Sequence, residues 1–394
     1  MTGVFWLSVF LLVHTYVLYP LALVLLDALA QARANLRFIG GGGDRRGRAL
    51  APQGMTVTLV VAAYNEESCI DEKLQNSLEL DWPKQDLEVL VGSDGSTDAT
   101  DAKVSANPDP RIRLSAAPRG GKVAVLNRCI PFARGEVVVL TDANTMLDPA
   151  ALEKLARHFR DPDVGAVCGR LRLYNPTLKA YEESAYWTYE SFIKFYEGKH
   201  GAVLGANGGL YAIRRSLFRE LPPDTVVDDF VIPMRILQSG YRVLYDAEAV
   251  AWEETTEDYV KEASRRARIA AGNFQSLKLL GPMLSPRAGF ASFAFWSHKL
   301  LRWTAPLWLA LAFVTNLALL HHRWALFAML VQLGFYGLAI AGRQKLVQRG
   351  ALRRVASVAY YFTSMNLALA RGFWRFVSQS QAPTWDRTER ARAS

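Results

Sequence analysis

Cysteine is scarce: Cys69, Cys129 and Cys168 are the only three in 394 residues. The number is odd and the spacings match no metal site. A disulfide framework and a structural zinc are both excluded, and buried free thiols in a reducing compartment are expected. The phosphate-binding pattern Gly-x-x-x-x-Gly-Lys-Ser/Thr is absent, so a P-loop is excluded. No internal repeat is visible. The polar middle of the chain also lacks a basic stripe with interleaved aromatics. A nucleic-acid partner is therefore not expected, despite a net charge of +9.

The basic residues gather elsewhere. Arg33, Arg37, Arg45, Arg46 and Arg48 follow one apolar run, and Arg343, Lys345, Arg349, Arg353 and Arg354 follow another. Charge placed beside apolar stretches orients membrane segments. Val4 to Leu26 is long enough to cross a bilayer. No basic region precedes it and no clean cleavage site follows, so it reads as a signal anchor rather than a signal peptide. The basic stretch behind it places the next domain in the cytoplasm. Near the other end, Ala288–Leu301 reads as an amphipathic helix at the membrane interface. Trp303–Leu320 and Trp324–Ala341 are candidate spans, and Val355–Val377 is interrupted by Arg371 and Arg375. The resulting division is a transmembrane helix over 1–30, a basic Gly-rich linker over 31–54, a catalytic domain over 55–280, an interfacial helix over 281–302, membrane helices over 303–378 and a polar tail over 379–394. Localisation in the inner (plasma) membrane, multi-pass, follows from that division.

Between Val57 and about Asp258, short apolar runs alternate with polar helical stretches. Strands are expected at Val57–Ala63, Leu87–Gly92, Ile112–Leu114 and Val137–Thr141. Helices are expected at Glu67–Leu78, Asp98–Ala106 and Lys122–Ala133. This alternation predicts an α/β fold with a doubly wound, mostly parallel sheet. Ligands bind beyond the carboxyl ends of such strands, and Asn65, Asp94 and Asp142 all fall there.

Six short motifs carry chemistry, five of them with a bland reading alongside. Ala62-Ala63-Tyr64-Asn65-Glu66-Glu67 ends the first strand, where Asn65 could simply cap a helix. Gly92 to Asp98 lets backbone approach a ligand, with Asp94 and Asp98 as acceptors, but is also a common strand-to-helix turn. Arg119-Gly120-Gly121-Lys122 opens a helix with a lysine suited to phosphate. Thr141-Asp142-Ala143-Asn144 offers two oxygen ligands to Mg²⁺ or Mn²⁺, or an Asx-turn. The tandem Asp228-Asp229 can hold a raised pKa suited to a general base, or merely favour a helix start. Arg265-Arg266-Ala267-Arg268 can neutralise a departing diphosphate, or face solvent or a membrane surface.

Taken in order, these motifs resemble the family 2 glycosyltransferases with the GT-A fold, the group that includes cellulose, chitin and hyaluronan synthases. The resemblance covers about Val57 to Asn273. It implies donor binding by Ala63, Tyr64, Asn65, Glu66, Asp94, Gly121, Lys122 and Asp142. It implies a metal at Asp142 and Asn144, and an acceptor-side loop at Asn207, Gly208 and Gly209. Asp228-Asp229 stands where that family has Glu-Asp, which implies Asp229 as catalytic base beside Asp228. Arg268 matches the Arg of the family's Gln-x-x-Arg-Trp motif.

Two departures stand out. Asn144 replaces the second Asp of Asp-x-Asp. The Gln and Trp of Gln-x-x-Arg-Trp are lost, and in the synthases that Trp lines the acceptor site. The expected activity is therefore inverting transfer from a nucleotide sugar, by resemblance a UDP-sugar, to a glycan or lipid-linked acceptor in exopolysaccharide or cell-envelope polysaccharide synthesis. Membrane lipid and other polysaccharide-assembly proteins are the further expected partners. A processive synthase, a nucleotidyltransferase and a non-catalytic nucleotide-binding membrane protein stay open.

Overall fold

A computed structural model describes residues 1–39, 54–175, 180–181, 185–254, 259–344, 346–347 and 349–380. The Gly-rich stretch at 40–52, Lys345 and the tail from 381 lie outside the described residues. The chain divides into two compact units. One comprises Met1–Ala22, Tyr259–Lys278 and Phe293–Gln381, and the other Leu23–Asp258 with Leu279–Ser292 and Ala382–Ser394.

The second unit is built on one sheet. Its strands are β1 (Val57–Ala63), β2 (Leu87–Asp94), β3 (Ile112–Ala117), β4 (Val137–Asp142), β5 (Thr145–Leu147), β6 (Val164–Asn175), β7 (Ala180–Tyr181), β8 (Tyr211–Arg214) and β9 (Arg242–Glu254). The order is β3-β2-β1-β4-β8-β6-β9-β5, with β7 paired to β6. The first four strands are mutually parallel. β8 then runs antiparallel to both β4 and β6, and β9 is parallel to β6. Every residue of β1 and β2 is buried, as expected of parallel strands covered on both faces. The core joins Val57, Leu59 and Val61 of β1, Val89 and Val91 of β2, and Val137 and Val139 of β4 to Ile70, Leu74, Leu152 and Leu155 from the helices.

Two expected helices start late, for one reason. The helix expected from Glu67 begins at Ile70, and that expected from Asp98 begins at Thr100. The residues before each start are spent on hydrogen bonds between the two turns. Glu66 N–H donates to Thr100 Oγ1 at 2.8 Å and Glu67 N–H to Asp98 Oδ2 at 3.1 Å. Side chains that capture backbone donors in this way compete with helix formation.

Among the described residues, two helices are long and apolar enough to cross a membrane: the continuous run Thr2–Ile39 and Arg323–Arg343. Phe290–Trp303 and Ala305–Ala318 reach that standard only together, bent by 60° as a broken span or re-entrant loop. At about 1.5 Å per residue the Ala305–Ala318 helix alone is too short for a bilayer core of ~30 Å. Phe5, Ala312, Leu319 and Ala325 form the buried contact between the first helix and this C-terminal group. Gly350–Val377 is one helix and does not reach the apolar standard, Arg371 and Arg375 interrupting it.

Candidate active site

The parallel register aligns the carboxyl ends of four strands. Ala62 pairs with both Gly92 and Asp142, Ala63 with Ser93, and Asp94 with Ala117. Tyr64, Asp94, Pro118 and Asp142 therefore leave the sheet along one edge.

The Tyr64–Glu67 and Ser93–Asp98 turns interlock. Asn65 adopts φ +53°, a left-handed geometry that Asn tolerates because its short amide bonds locally. Its Oδ1 accepts from Thr97 N–H at 2.8 Å, and its own N–H donates to Ser96 Oγ at 3.1 Å. Beside this turn the Arg119 guanidinium lies 3.3 Å from the centre of the Tyr64 ring, a stacked cation–π pair.

Asp94 is buried. Its Oδ1 accepts from Gly120 N–H at 2.7 Å and Gly121 N–H at 2.9 Å, and its Oδ2 from Gly121 N–H at 3.1 Å. The carboxylate thus folds the Arg119–Lys122 turn back over the strand end. Gly95 makes that approach possible: at φ +70° a Cβ would stand 2.7 Å from Arg119 N. Lys122 then opens the helix Lys122–Phe132 and extends toward the acidic residues.

Lys122 Nζ donates to Asp142 Oδ1 at 2.7 Å and lies 3.7 Å from Asp228 Oδ2. Burial pulls the ammonium down, but Asp142, Asp228 and Asp229 together outweigh burial and hold it above its ordinary range. Asp228 and Asp229 start the helix Asp228–Gln238, where the dipole favours carboxylates. Burial, opposed by Lys122 and reinforced by Asp229 and Asp142, pushes Asp228 up to about 6. Its Oδ2 is buried without a hydrogen bond, whereas Asp229 is half-buried. The same three carboxylates, after burial, push the Tyr211 hydroxyl well up.

The Gly205–Gly209 loop closes the other side. Ala206 N–H donates to the Asp229 carbonyl at 2.8 Å. A Cβ on Gly208 would stand 3.3 Å from Asp229 Oδ2 and 3.9 Å from Asp142 Oδ2, so the missing side chain leaves a gap facing both carboxylates. Gly209 instead packs against Leu171 and Thr145. Asn207 is fixed from inside the protein. Its Oδ1 accepts from Lys194 Nζ at 2.6 Å and its Nδ2 donates to the Gly169 carbonyl at 2.9 Å.

Among the described residues no group of three or more His, Cys, Asp or Glu could hold a metal by itself. Asp142 and Asn144 nevertheless fit a hard divalent cation that keeps water and phosphate as its other ligands. Lys122 bonds Asp142 Oδ1, leaving Oδ2, and Asn144 Nδ2 donates to Glu253 Oε1 at 3.2 Å, leaving its carbonyl oxygen as acceptor. The cluster thus brings together Lys122, Asp142, Asp228, Asp229 and Gly208, next to the turns that carry Tyr64, Asn65, Glu66 and Asp94. Arg268 belongs to the other unit, on the helix Tyr259–Leu280.

Two residues stand out only in the structure, Lys194 behind Asn207 and Lys73 behind Asp142, and Arg119 of the third motif gains there its stack on Tyr64. Lys73 is fully buried; burial pulls its ammonium down to about 7, against the opposing charge of Asp142. The available signal was a lysine on the apolar stripe of a helix, since Ile70, Lys73, Leu74 and Ser77 form the buried face.

Residues 58–221 match the model of glycosyl transferase family 2. The poly-beta-1,6-N-acetyl-D-glucosamine synthase of Staphylococcus aureus (strain COL) is 28% identical over 230 residues, 56% of this chain and 55% of that protein. The probable glycosyltransferase YdaM of Bacillus subtilis (strain 168) is 25% identical over 230 residues, 55% of each. The chain spans about half the length of the curated relatives it matches. Among solved structures, the mannosyltransferase PcManGT from Pyrobaculum calidifontis, in complex with GDP-Man and Mn²⁺, shares the fold. Its TM-score is 0.66 at 24% identity, covering 96% of this chain and 100% of that one.

Proposed function

We propose that this chain, a member of glycosyl transferase family 2, moves a sugar from a nucleotide-sugar donor to a hydroxyl of a glycan or lipid-linked acceptor, inverting the anomeric carbon. The observation that carries the reading is the cluster of Asp142, Asp228 and Asp229 around Lys122, with the side-chain-free Gly208 facing two of the carboxylates. Tyr64, Asn65, Glu66 and Asp94 shape the donor side, and Asn207, Gly208 and Gly209 the acceptor side. The half-buried Asp229 takes the proton of the acceptor hydroxyl. The acceptor oxygen bonds to the anomeric carbon as the bond from that carbon to the diphosphate oxygen breaks, and the electron pair leaves with the nucleoside diphosphate. Lys122 neutralises the departing charge. When bound at Asp142 and Asn144, Mg²⁺ or Mn²⁺ supplies further charge neutralisation to the diphosphate.

In this reading residues 55–280 are a cytoplasmic catalytic domain of a multi-pass inner-membrane protein. The donor is a UDP-sugar; GDP-mannose is the first competitor to try, because PcManGT holds it. Likeness to a poly-beta-1,6-N-acetyl-D-glucosamine synthase favours polymer formation as the second reading. Product length from donor alone separates the two.

The test uses Asp229→Asn in membranes supplied with a panel of radiolabelled nucleotide sugars. Transfer should disappear while nucleoside diphosphate binding survives. Retained turnover would remove Asp229 from the base role, and no transfer from any nucleotide sugar by the wild type would sink the enzyme reading.

A further inference from the structure

The turn that presents Asp142 and Asn144 is held from behind by a residue that sequence logic assigns to the core. The Ile70–Leu78 helix buries Ile70, Lys73, Leu74 and Ser77. At position 73 a leucine or methionine would fill the same space without taking a charge out of water, which costs several kcal/mol; the opposing charge of Asp142 offsets only part of that burial. Among the described residues, no carboxylate forms an ion pair with Lys73. Its Nζ instead donates to Thr141 Oγ1 at 3.2 Å and to the Thr145 carbonyl.

Those two acceptors bracket the segment from Asp142 to Asn144. One turn along the same helix face, Asn76 Oδ1 accepts from Leu147 N–H and its Nδ2 donates to the Leu147 carbonyl, both at 2.9 Å. Among the described residues β5 is the edge of the sheet and pairs only with β9. Its outer backbone groups would otherwise be unpaired. Lys73 and Asn76 therefore take the place of a missing strand, and Lys73 alone also reaches back to β4.

We propose that Lys73 is a positioning residue that clips the end of β4 to the start of β5 and so fixes the geometry in which Asp142 and Asn144 hold a divalent cation. The inference rests on the metal-binding reading above. It makes a counter-intuitive claim: an ammonium behind the site repels a cation, yet removing it weakens binding, because lost geometry outweighs relieved repulsion. Residues that orient ligands from the second layer are worth about 10–100-fold in metal affinity.

The experiment titrates Mn²⁺ into the full-length, detergent-solubilised protein with nucleoside diphosphate present, following free Mn²⁺ by electron paramagnetic resonance. Lys73→Met should weaken Mn²⁺ binding by about 10–100-fold. Thr141→Val should also weaken it, while Thr141→Ser, which keeps the acceptor, stays near wild type. Should Lys73→Met fail to fold, Thr141→Val decides. Unchanged or tighter Mn²⁺ binding in both Lys73→Met and Thr141→Val overturns the role of Lys73 and leaves the metal reading intact. A wild type that binds no Mn²⁺ overturns the metal reading and this inference with it.

Discussion

Lys122→Met tests the cluster directly, because methionine keeps most of the length and removes the charge with its hydrogen bond to Asp142. Lys122 Nζ is 2.7 Å from one carboxylate and 3.7 Å from a second. At ~4 Å and an effective dielectric of ~20, one such pair is worth about 4 kcal/mol of attraction. Breaking a fully buried pair costs about 3–5 kcal/mol. The side chains of Lys122 and Asp142 are 23% and 31% exposed, so solvent screening reduces the expected loss to about 1–3 kcal/mol. Turnover should fall further than stability implies. Losing a single preorganised group that stabilises transition-state charge costs about 10²–10³ in kcat, with donor KM changing less.

The double variant Lys122→Met/Asp142→Asn separates the two effects. Removing the orphaned carboxylate should restore part of the thermal stability and none of the activity. Denaturation midpoints in detergent and initial rates of sugar transfer read both quantities on one preparation. Turnover of Lys122→Met within about 5-fold of wild type would refute neutralisation of the departing diphosphate oxygen by Lys122, and a double variant no more stable than the single one would refute carboxylate repulsion.

The other consequences concern the same few ångströms. Asp228 is pushed up to about 6, so the folded protein binds more protons than the unfolded chain between its ordinary value and about 6. Stability is then lost as pH rises through that window, and the full cost is present above it. Asp228→Asn should accordingly raise the thermal midpoint at pH 8 by the equivalent of about 1–3 kcal/mol and leave it unchanged at pH 4, and a midpoint that does not rise at pH 8 contradicts the assignment. Gly208→Ala places a methyl 3.3 Å from Asp229 Oδ2; transfer should fall by about 10–100-fold with normal folding, and unaltered rates would remove the gap from the acceptor path. Arg119→Ala removes the stack on Tyr64 and should raise donor KM by about 5-fold, the worth of ~1 kcal/mol at an exposed cation–π site, with kcat nearly unchanged; equal KM would place the donor elsewhere.

The first half of the sheet was legible because buried parallel strands read as unbroken apolar runs. Val57–Ala63 coincides with its strand, and Val137–Thr141 lacks only the terminal Asp142. The rest of the sheet was less legible. β8 is four residues long and β9 alternates buried and open positions, so neither shows a sustained run. The site shows the same division. Asp142 and Lys122 end or start regular elements, and their place follows from the pattern. The turn geometry that saturates Asp94 with Gly120 and Gly121 comes from a contact across 26 residues, which no local pattern encodes. Lys194 and Lys73 were missed because a lysine on a helix is ordinarily read as solvated, and only tertiary packing shows that both are enclosed. The 60° bend between Phe290–Trp303 and Ala305–Ala318 falls where the interfacial stretch ending at Leu301 gives way to the apolar run from Trp303.

The structure also accounts for the neutral residue at 144, the chief departure from the Asp-x-Asp pattern. Asn144 leads into β5, whose first residue pairs with Glu253 of β9, and its Nδ2 donates to Glu253 Oε1 at 3.2 Å. An aspartate in that place would set two carboxylates within hydrogen-bonding distance of each other, where like charges repel. Three carboxylates already crowd Lys122, and the buried one among them rises to about 6. A fourth charge two residues from Asp142 would add to that repulsion, while an amide oxygen gives a hard cation a ligand without adding charge. The Asn therefore eases an electrostatic load that Lys122 carries from the front of Asp142. In the proposed metal site the exchange would leave Asp142 as the sole charged ligand, and its orientation, with Lys122 on one side and the proposed Lys73 clip on the other, would matter more than in a site with two acids.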